Sequence, residues 1–320
     1  MGKNSSYSDN AMFNYIQTME EKFFQMMNHK NADTNSIKRT LQNIIKEYQT
    51  IINNKPNTDY SERAKLRIAT IEYSIMNNSN NAIQILNDIL KTKLNQNYVI
   101  EATIQLSDIY LTLGTFDSAK KLILNVFSQN TKQPKSANSL NTLKFKLAEI
   151  YYFQGEIDSA LKYYSELLQS LDNDKANVAI NRINFIQRNK DNEKDISNFS
   201  GAEFLLQQRK FPEAKAKFNE VIKNSANEII GELALIQIAK IEIETNNTVS
   251  AKSLLITYLD DNFSPMYGDD ALFLLGTIAE KENDKESAVD FYGDILLKYP
   301  RSVLISEARQ RIRILRNQKL

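Results

Sequence analysis

Apolar residues recur three and four positions apart along most of the chain, with polar residues at the positions between them. This spacing is typical of α-helices that bury one face and expose the other. Glycine and proline are scarce, at 8 and 5 residues, as a chain made mostly of helices requires. The pattern therefore predicts an all-α protein.

Six short phrases that end in alanine repeat along the chain. The alanines are Ala82, Ala119, Ala160, Ala214, Ala251 and Ala288, and the gaps between them are 37, 41, 54, 37 and 37 residues. A period this regular indicates one supersecondary unit used repeatedly. The polar residues before each alanine suit the start of a helix. Each unit is therefore predicted to be a helix, a tight turn and a second helix.

Small residues and glycines mark the inside of each unit. Small side chains fall where the first helix of a pair must lie against the second, since larger ones would push the helices apart. They are Ala69, Ser107, Ala148, Ala202, Ala239 and Gly276. Gly114, Gly155 and Asn283 lie between the helices of their pairs, where we expect the left-handed conformation that ends a helix.

The N-terminal region contains a looser seventh pair. Helices are expected over residues 11–29 and 35–53, the second of which is closed by Pro56. Residues 1–10 are polar and are predicted to be disordered.

The 54-residue gap is the one break in the rhythm of the repeats. It contains an extra predicted helix over 176–188 and then a charged run, 189–195, which is expected to be a solvated linker. One unpaired helix interrupts the alternation of first and second helices, so we predict two arms, 11–189 and 190–320. Whether the segment near 172–198 is a hinge or a rigid kink stays open.

A final helix, predicted to begin at Ser302, caps the array. Its basic residues are Arg309, Arg311, Arg313, Arg316 and Lys319. Cations near a helix C-terminus are favoured by the helix dipole, and an array of repeats needs a polar end. The helix is therefore interpreted as a cap, with a basic docking patch as the alternative.

The composition excludes several classes of function. With 40 basic and 39 acidic residues, the chain has no overall field that would draw it to nucleic acid or to an anionic membrane. No apolar run approaches the roughly 20 residues that span a bilayer. The polar start is unlike a signal peptide, so we expect a periplasmic or envelope location if a leader has been removed and a cytoplasmic one otherwise.

Candidate catalytic residues are few. His29 is the only histidine and there is no cysteine, which excludes a thiol nucleophile and a zinc site built from several such ligands. No glycine-rich phosphate-binding loop occurs. We therefore predict no catalytic residue, no cofactor, no metal and no enzyme activity.

The last unit carries large, small, aromatic and proline positions in a fixed order: Leu272, Leu275, Gly276, Ala279, Ala288, Tyr292, Ile295 and Pro300. This order resembles the tetratricopeptide repeat family. Residues 297–313 look like the Tyr-Pro-x-Ser and Glu-Ala-x-x-Arg motif of bacterial envelope members, such as the outer-membrane assembly lipoprotein subunit and the Tol-Pal cell-division coordinator, with a weaker copy over 51–64. The resemblance implies a right-handed superhelical solenoid of about six to seven antiparallel helix pairs plus a C-terminal capping helix.

The resemblance also implies a binding surface on the concave face, which successive first helices form. The corresponding positions include Glu101, Ile104, Asp108, Leu111, Phe145, Glu149, Tyr152, Phe153, Phe199, Glu203, Lys240 and Phe273. A scaffold or adaptor that binds peptides or helices of protein partners, in bacterial cell-envelope assembly, is the function implied. Two alternatives stay open: the aromatic residues pack between units, or the repeats self-associate into an oligomer or lattice.

Overall fold

The computed structural model describes residues 3–27, 33–92, 94–129, 137–168, 175–225, 228–261 and 265–316. Within these ranges the chain forms sixteen α-helices and one 3₁₀ turn, and it contains no strand. The predicted all-α helical repeat solenoid is thereby confirmed. His29 and Lys319 lie outside the described residues.

The helices follow one another at short intervals. Their bounds are α1 Lys3–Met27, α2 Thr34–Asn54, α3 Asp59–Ser74, α4 Ser79–Ile89, α5 Gln96–Thr112, α6 Phe116–Ser128, α7 Ala137–Phe153, α8 Ile157–Leu167, α9 Ala176–Arg188, α10 Glu193–Gln207, α11 Phe211–Ser225, α12 Ile229–Glu244, α13 Thr248–Asp261, α14 Gly268–Lys281, α15 Lys285–Lys298 and α16 Ile305–Leu315. First helices of successive pairs contact each other, as α3 does with α5 and α12 with α14. They therefore share a face.

The repeat alanines hold the two helices of each pair together. All six are fully buried. In the last pair, a β-carbon added at Gly276 of α14 would lie only 2.5 Å from the Tyr292 ring of α15. The small residues of the first helices therefore permit the close approach that the sequence predicts.

Left-handed residues end the first helices, as predicted. The φ angles are 73° at Gly114, 77° at Gly155 and 60° at Asn283. Asn77, Asn246 and Arg209 adopt the same conformation in their turns, with φ of 52°, 62° and 57°. Each turn is closed by an amide that reaches back to the helix, as in the 2.9 Å bond that Asp284 N donates to the Ala279 carbonyl.

The predicted bounds agree with the structure for one helix and differ from it for two others. The extra helix α9 spans Ala176–Arg188, as expected. Helix α1 begins at Lys3, inside the segment 1–10 for which the sequence favours disorder. Helix α16 begins at Ile305 and not at Ser302, whose hydroxyl instead accepts a hydrogen bond from Leu304 N at 3.0 Å.

The charged run 189–195 is not simply a solvated linker. A 3₁₀ turn, Lys190–Asn192, leads directly into α10. Asp195 is buried because its carboxylate accepts hydrogen bonds from Asn224 Nδ2 at 2.8 Å and Ser225 Oγ at 2.7 Å. A fully paired carboxylate can be buried, whereas an unpaired one would stay in water.

The chain divides into two compact units. Unit 1 comprises Met1–Ile150 and Glu166–Asn177, and unit 2 comprises Tyr151–Ser165 and Val178–Leu320. Among the described residues, two hydrophobic clusters in each unit are formed by residues of that unit alone. The predicted arm boundary at residue 189, and its character as a hinge or a kink, stay predictions.

Candidate functional site

The predicted site residues of α5 lie on the first-helix face of unit 1. Ile104, Asp108 and Leu111 are all half-buried. Asp108 forms an ion pair with Lys146 of α7, and 49% of the Asp108 side chain remains exposed. The pair links two successive first helices, so this part of the predicted surface is both ordered and accessible.

The predicted residues of α7 change character along the helix. Phe145 and Glu149 are half-buried, and both interact with other residues of the protein. Tyr152 and Phe153, which lie in unit 2, are buried, with 0% and 8% of their surface exposed. The aromatic and acidic stretch from Phe145 to Phe153 is therefore only partly accessible.

Three of the predicted contact residues belong to an aromatic cluster in unit 2. Ring centroids lie 5.0 Å apart for Phe199 and Phe185, 5.1 Å for Phe199 and Phe218, and 5.5 Å for Phe153 and Phe204. The Tyr152 ring is 6.4 Å from that of Phe185, which belongs to the extra helix α9. Tyr152, Phe153 and Phe199 were expected to face a partner, but they lie in the core because α9 and its neighbours cover them.

Glu203 closes the polar side of this cluster. Its carboxylate accepts a hydrogen bond from the Tyr152 hydroxyl at 2.7 Å and another from Arg182 Nη1 at 2.7 Å. The Arg182 guanidinium also lies 4.3 Å from the centroid of the Tyr152 ring. Since charge-assisted bonds and a cation–π contact satisfy all three groups, Glu203 is positioned for structure and not for capturing a ligand.

A similar tyrosine, glutamate and arginine cluster lies at the C-terminal end of unit 2. The Tyr292 hydroxyl donates to Glu280 at 2.7 Å, and Arg311 Nη1 donates to the other oxygen of Glu280 at 3.5 Å. Burial, together with Glu280, raises the pKa of Tyr292 to about 12. Arg311 is the arginine of the Glu-Ala-x-x-Arg motif, so the motif fastens the terminal helix α16 to α14.

Unit 1 contains the corresponding ion pair near its N-terminal end. Arg67 of α3 pairs with the buried Glu20 of α1, with Nε 3.3 Å from the carboxylate. Tyr48 lies beside this pair, and burial raises the pKa of its hydroxyl well above the usual value. Arg67 lies three residues after the end of the weaker copy of the motif at 51–64.

Two predicted residues lie farther along unit 2. Lys240 on α12 is exposed, and its charge opposes the rise in the pKa of Asp270 that burial causes. Phe273 on α14 is half-buried, with its ring centroid 5.3 Å from that of Tyr292. Of the two, only Lys240 presents most of its side chain to solvent.

A cleft of about 390 Å³ opens on the first-helix face of unit 1. Its lining comes from α1, α3 and α5: Phe13, Gln17, Arg63, Leu66, Arg67, Thr70, Asn97, Tyr98, Glu101 and Gln105. Three successive first helices therefore contribute to one concavity. Glu101 and Gln105 lie on the same helix as the predicted residues Ile104 and Asp108.

The cleft combines an apolar floor with a polar rim. Phe13 and Leu66 are buried, and the Arg63 guanidinium lies 4.1 Å from the centroid of the Phe13 ring. Burial, followed by the nearby charge of an aspartate on α3, raises the pKa of the Tyr98 hydroxyl to about 12. Glu101 is exposed. A cation, a hydroxyl group and a carboxylate are thus available around one apolar patch.

The prediction from sequence did not include most of these lining residues. Glu101 occupies a first-helix position that the repeat register identifies, but Phe13, Arg63 and Tyr98 were not among the predicted residues. Extending the register of the first helices one unit back from Glu101 leads to Arg63 on α3. Phe13 lies in the looser N-terminal pair, where the repeat pattern is weak.

Two kinds of feature, a metal-ligand cluster and a helix suited to spanning a membrane, are absent from the described residues. They contain no group of three or more histidine, cysteine, aspartate or glutamate side chains placed to hold a metal ion. Among the helices given above, none is long and apolar enough to cross a membrane.

Comparisons with known proteins give a family match and several distant structural neighbours. Residues 150–301 match a family model described as a tetratricopeptide repeat-like domain. Similar solved structures include pilF of Pseudomonas aeruginosa, at 13% identity over 82% of this chain and 99% of that chain, with a TM-score of 0.31. A tetratricopeptide repeat protein from Parabacteroides merdae shows 13% identity over 93% and 98%, with a TM-score of 0.37. PilW, a type IV pilus biogenesis factor, shows 14% identity over 78% and 99%, with a TM-score of 0.31.

These neighbours are too distant for their functions to transfer to this chain. No curated protein matches the sequence. The matched region contains four of the buried repeat alanines and the three consecutive helix pairs from α10 to α15. The chain therefore contains a tetratricopeptide repeat-like domain over residues 150–301, as the repeat pattern of its sequence predicts.

Proposed function

We propose that the protein is a non-enzymatic scaffold that binds segments of partner proteins on the face shared by its first helices. The observation that carries this proposal is the cleft of unit 1, which α1, α3 and α5 line together. Its volume falls within the range of ligand-binding pockets, and an apolar floor with a few convergent polar groups is typical of such sites.

The chemistry of the cleft defines the kind of segment that fits. Phe13 and Leu66 suit one apolar side chain, while Arg63 and Glu101 suit a carboxylate and a cation on either side of it. The contact between Arg63 and Phe13 limits the motion of the guanidinium before binding, which reduces the entropy lost when a carboxylate is bound. A short helix or an extended strand presents side chains at these intervals.

A comparison of two charge-neutralising variants tests the proposal. Arg63→Gln/Glu101→Gln removes two of the three charges that line the cleft and leaves the ion-paired Arg67. Glu220→Gln/Lys223→Gln removes two exposed charges from α11. Affinity purification from a native extract is expected to recover the same proteins with wild type and the α11 variant, and to lose some of them with the cleft variant. Identical sets from three folded proteins would contradict binding at the cleft.

Self-association is the second candidate, and exposed apolar residues favour it. Leu297, Val303 and Val249 are 80%, 93% and 80% exposed. Light scattering over a concentration series distinguishes the two functions, since a scaffold for other proteins can remain a monomer. A mass that does not change with concentration argues against self-association.

The bacterial cell envelope is the setting that we propose for this scaffold, on the basis of the sequence resemblance alone. Fractionation of the cells that produce the protein tests it. Recovery with the periplasm or the membranes is expected, and recovery from the cytosol alone would contradict it.

A further inference from the structure

Arginine is concentrated at the C-terminal end of the chain. The sequence contains 29 lysines but only 11 arginines, and five of these arginines fall within residues 301–316. Lysine supplies most of the positive charge elsewhere, so charge alone does not explain this choice. Arginine differs because its planar guanidinium donates paired hydrogen bonds to a carboxylate or a phosphate.

The structure separates the arginines of α16 into two roles. Arg311 is engaged with Glu280 of α14. Arg309, Arg313 and Arg316 are exposed, and no ion pair involves them within the described residues. Their spacing of four and then three positions places them in one row along the helix, over about 10 Å.

A polar cap accounts for only part of this row. Arg313 lies in the last turn and Arg316 follows it, where the helix dipole favours a cation. Arg309 is only the fifth residue of α16, close to the end where the dipole favours negative charge. Any polar side chain at position 309 would be compatible with exposure to solvent. Neither the solubility of the protein nor the helix dipole therefore explains why this residue is an arginine.

The other side of α16 is already used. Ala308, Ile312 and Leu315 pack against the hydrophobic cluster around Tyr292. The helix therefore has no free apolar face to insert into a lipid bilayer. The near-neutral charge of the whole chain also provides little long-range attraction for nucleic acid.

We propose that Arg309, Arg313 and Arg316 bind an acidic segment of a partner protein. Glutamates three and four positions apart on a partner helix have the same spacing as this row, so each guanidinium can take one carboxylate. Ile314 is 53% exposed and lies next to the row, where it contacts an apolar residue of the segment. This surface is separate from the cleft of unit 1 and does not depend on it.

Binding of a synthetic peptide to the full chain tests the proposal. The probe is a fluorescent helical peptide with glutamates at these spacings and one leucine, and its affinity is measured by anisotropy. Arg309→Gln/Arg313→Gln/Arg316→Gln is expected to weaken binding about tenfold or more, which corresponds to about 1.4 kcal/mol. The change from arginine to lysine at the same positions is expected to restore only part of the affinity, because lysine keeps the charge and loses the paired geometry.

A matched variant and alternative ligands complete the design. Lys190→Gln/Lys194→Gln/Lys223→Gln removes the same charge from exposed positions of unit 2 and is expected to bind the peptide as wild type does. Arg309→Gln alone is the second variant if the triple one unfolds. The proposal would be overturned if the lysine-to-glutamine control lost as much affinity as the triple arginine-to-glutamine variant, or if both arginine-to-glutamine variants bound the peptide as wild type does. Binding to phosphatidylserine vesicles or to an oligonucleotide, but not to the peptide, would also overturn it.

Discussion

The first helices form a comparable face in unit 1 and in unit 2, but the protein's own side chains fill this face only in unit 2. In unit 2, Arg182 and Tyr152 satisfy Glu203, and aromatic rings fill the space beside them. In unit 1, Glu101 is exposed at the rim of a cleft whose floor includes Phe13. One face is closed by its own side chains, whereas the other has room for those of a partner.

The difference shows that position within a repeat does not by itself determine exposure. The extra helix α9 supplies both Phe185 and Arg182, which cover positions that the repeat register would leave open. Where first helices follow one another without such an insertion, as α3 and α5 do, a cleft remains.

Removal of an aromatic ring from the closed face has the largest expected effect. Phe199→Ala should lower the free energy of unfolding by about 3–5 kcal/mol, because the ring is 1% exposed and packs between two others. Gln105→Ala in the cleft should change it by no more than about 0.5 kcal/mol. Urea unfolding measures the free energy of unfolding of both variants. If the two variants lost similar amounts, the two faces would be equally well packed.

Removal of one carboxylate from each face gives a smaller contrast. Glu203→Ala removes the carboxylate that accepts hydrogen bonds from Arg182 and from the buried Tyr152 hydroxyl, so we expect a loss of about 1.5–3 kcal/mol in unfolding free energy. Glu101→Ala should remain within about 0.5 kcal/mol of wild type. Equal values for the two variants would remove the distinction between a structural and an accessible glutamate.

Two glycines test how far the close packing of unit 2 extends toward its C-terminal end. Gly276→Ala should destabilise the protein by about 1–3 kcal/mol, because the added carbon would lie 2.5 Å from the Tyr292 ring. Gly293→Ala has no atom within 4 Å of the added carbon and should stabilise α15 by about 0.5–1 kcal/mol. Thermal unfolding of the two variants should therefore shift in opposite directions.

The dependence of stability on alkaline pH reports on a single hydroxyl group, that of Tyr292. The pKa of Tyr292 is raised from 10.0 to about 12, so its contribution to stability is complete below pH 10 and is lost as the pH rises toward 12. Tyr292→Phe should flatten this part of the profile. Unfolding midpoints of both proteins, measured between pH 10 and pH 12, test this expectation. If the midpoint of Tyr292→Phe fell with pH as steeply as that of wild type, a buried hydroxyl bonded to a carboxylate would be contradicted.

The sequence predicts the repeat and its local chemistry well. The buried alanines, the left-handed residues such as Gly114 and Asn283, and the bounds of α9 all follow from local patterns. Exposure of individual side chains does not follow from such patterns. Tyr152 is buried by a ring 33 positions later in the chain, at Phe185, and no local signal reports that contact.

The cleft has the same origin in distant contacts. Arg63 lies against Phe13, a residue of a helix two elements earlier, and Tyr98 adds a third helix. The repeat register identifies Glu101 as accessible, but the apolar floor depends on how the looser N-terminal pair packs. A pair whose pattern is weak in the sequence therefore contributes part of the floor of the candidate site.

Crosslinking from the cleft tests the central claim most directly. The chain has no cysteine, so Glu101→Cys and Glu220→Cys each carry a single thiol for a benzophenone label, one at the cleft and one on exposed α11. In native extract, Glu101→Cys is expected to crosslink to a partner polypeptide, and the crosslink should be lost when Arg63→Gln is added. Equal crosslinks from both positions, or a crosslink that survives Arg63→Gln, would contradict a partner-binding cleft in unit 1.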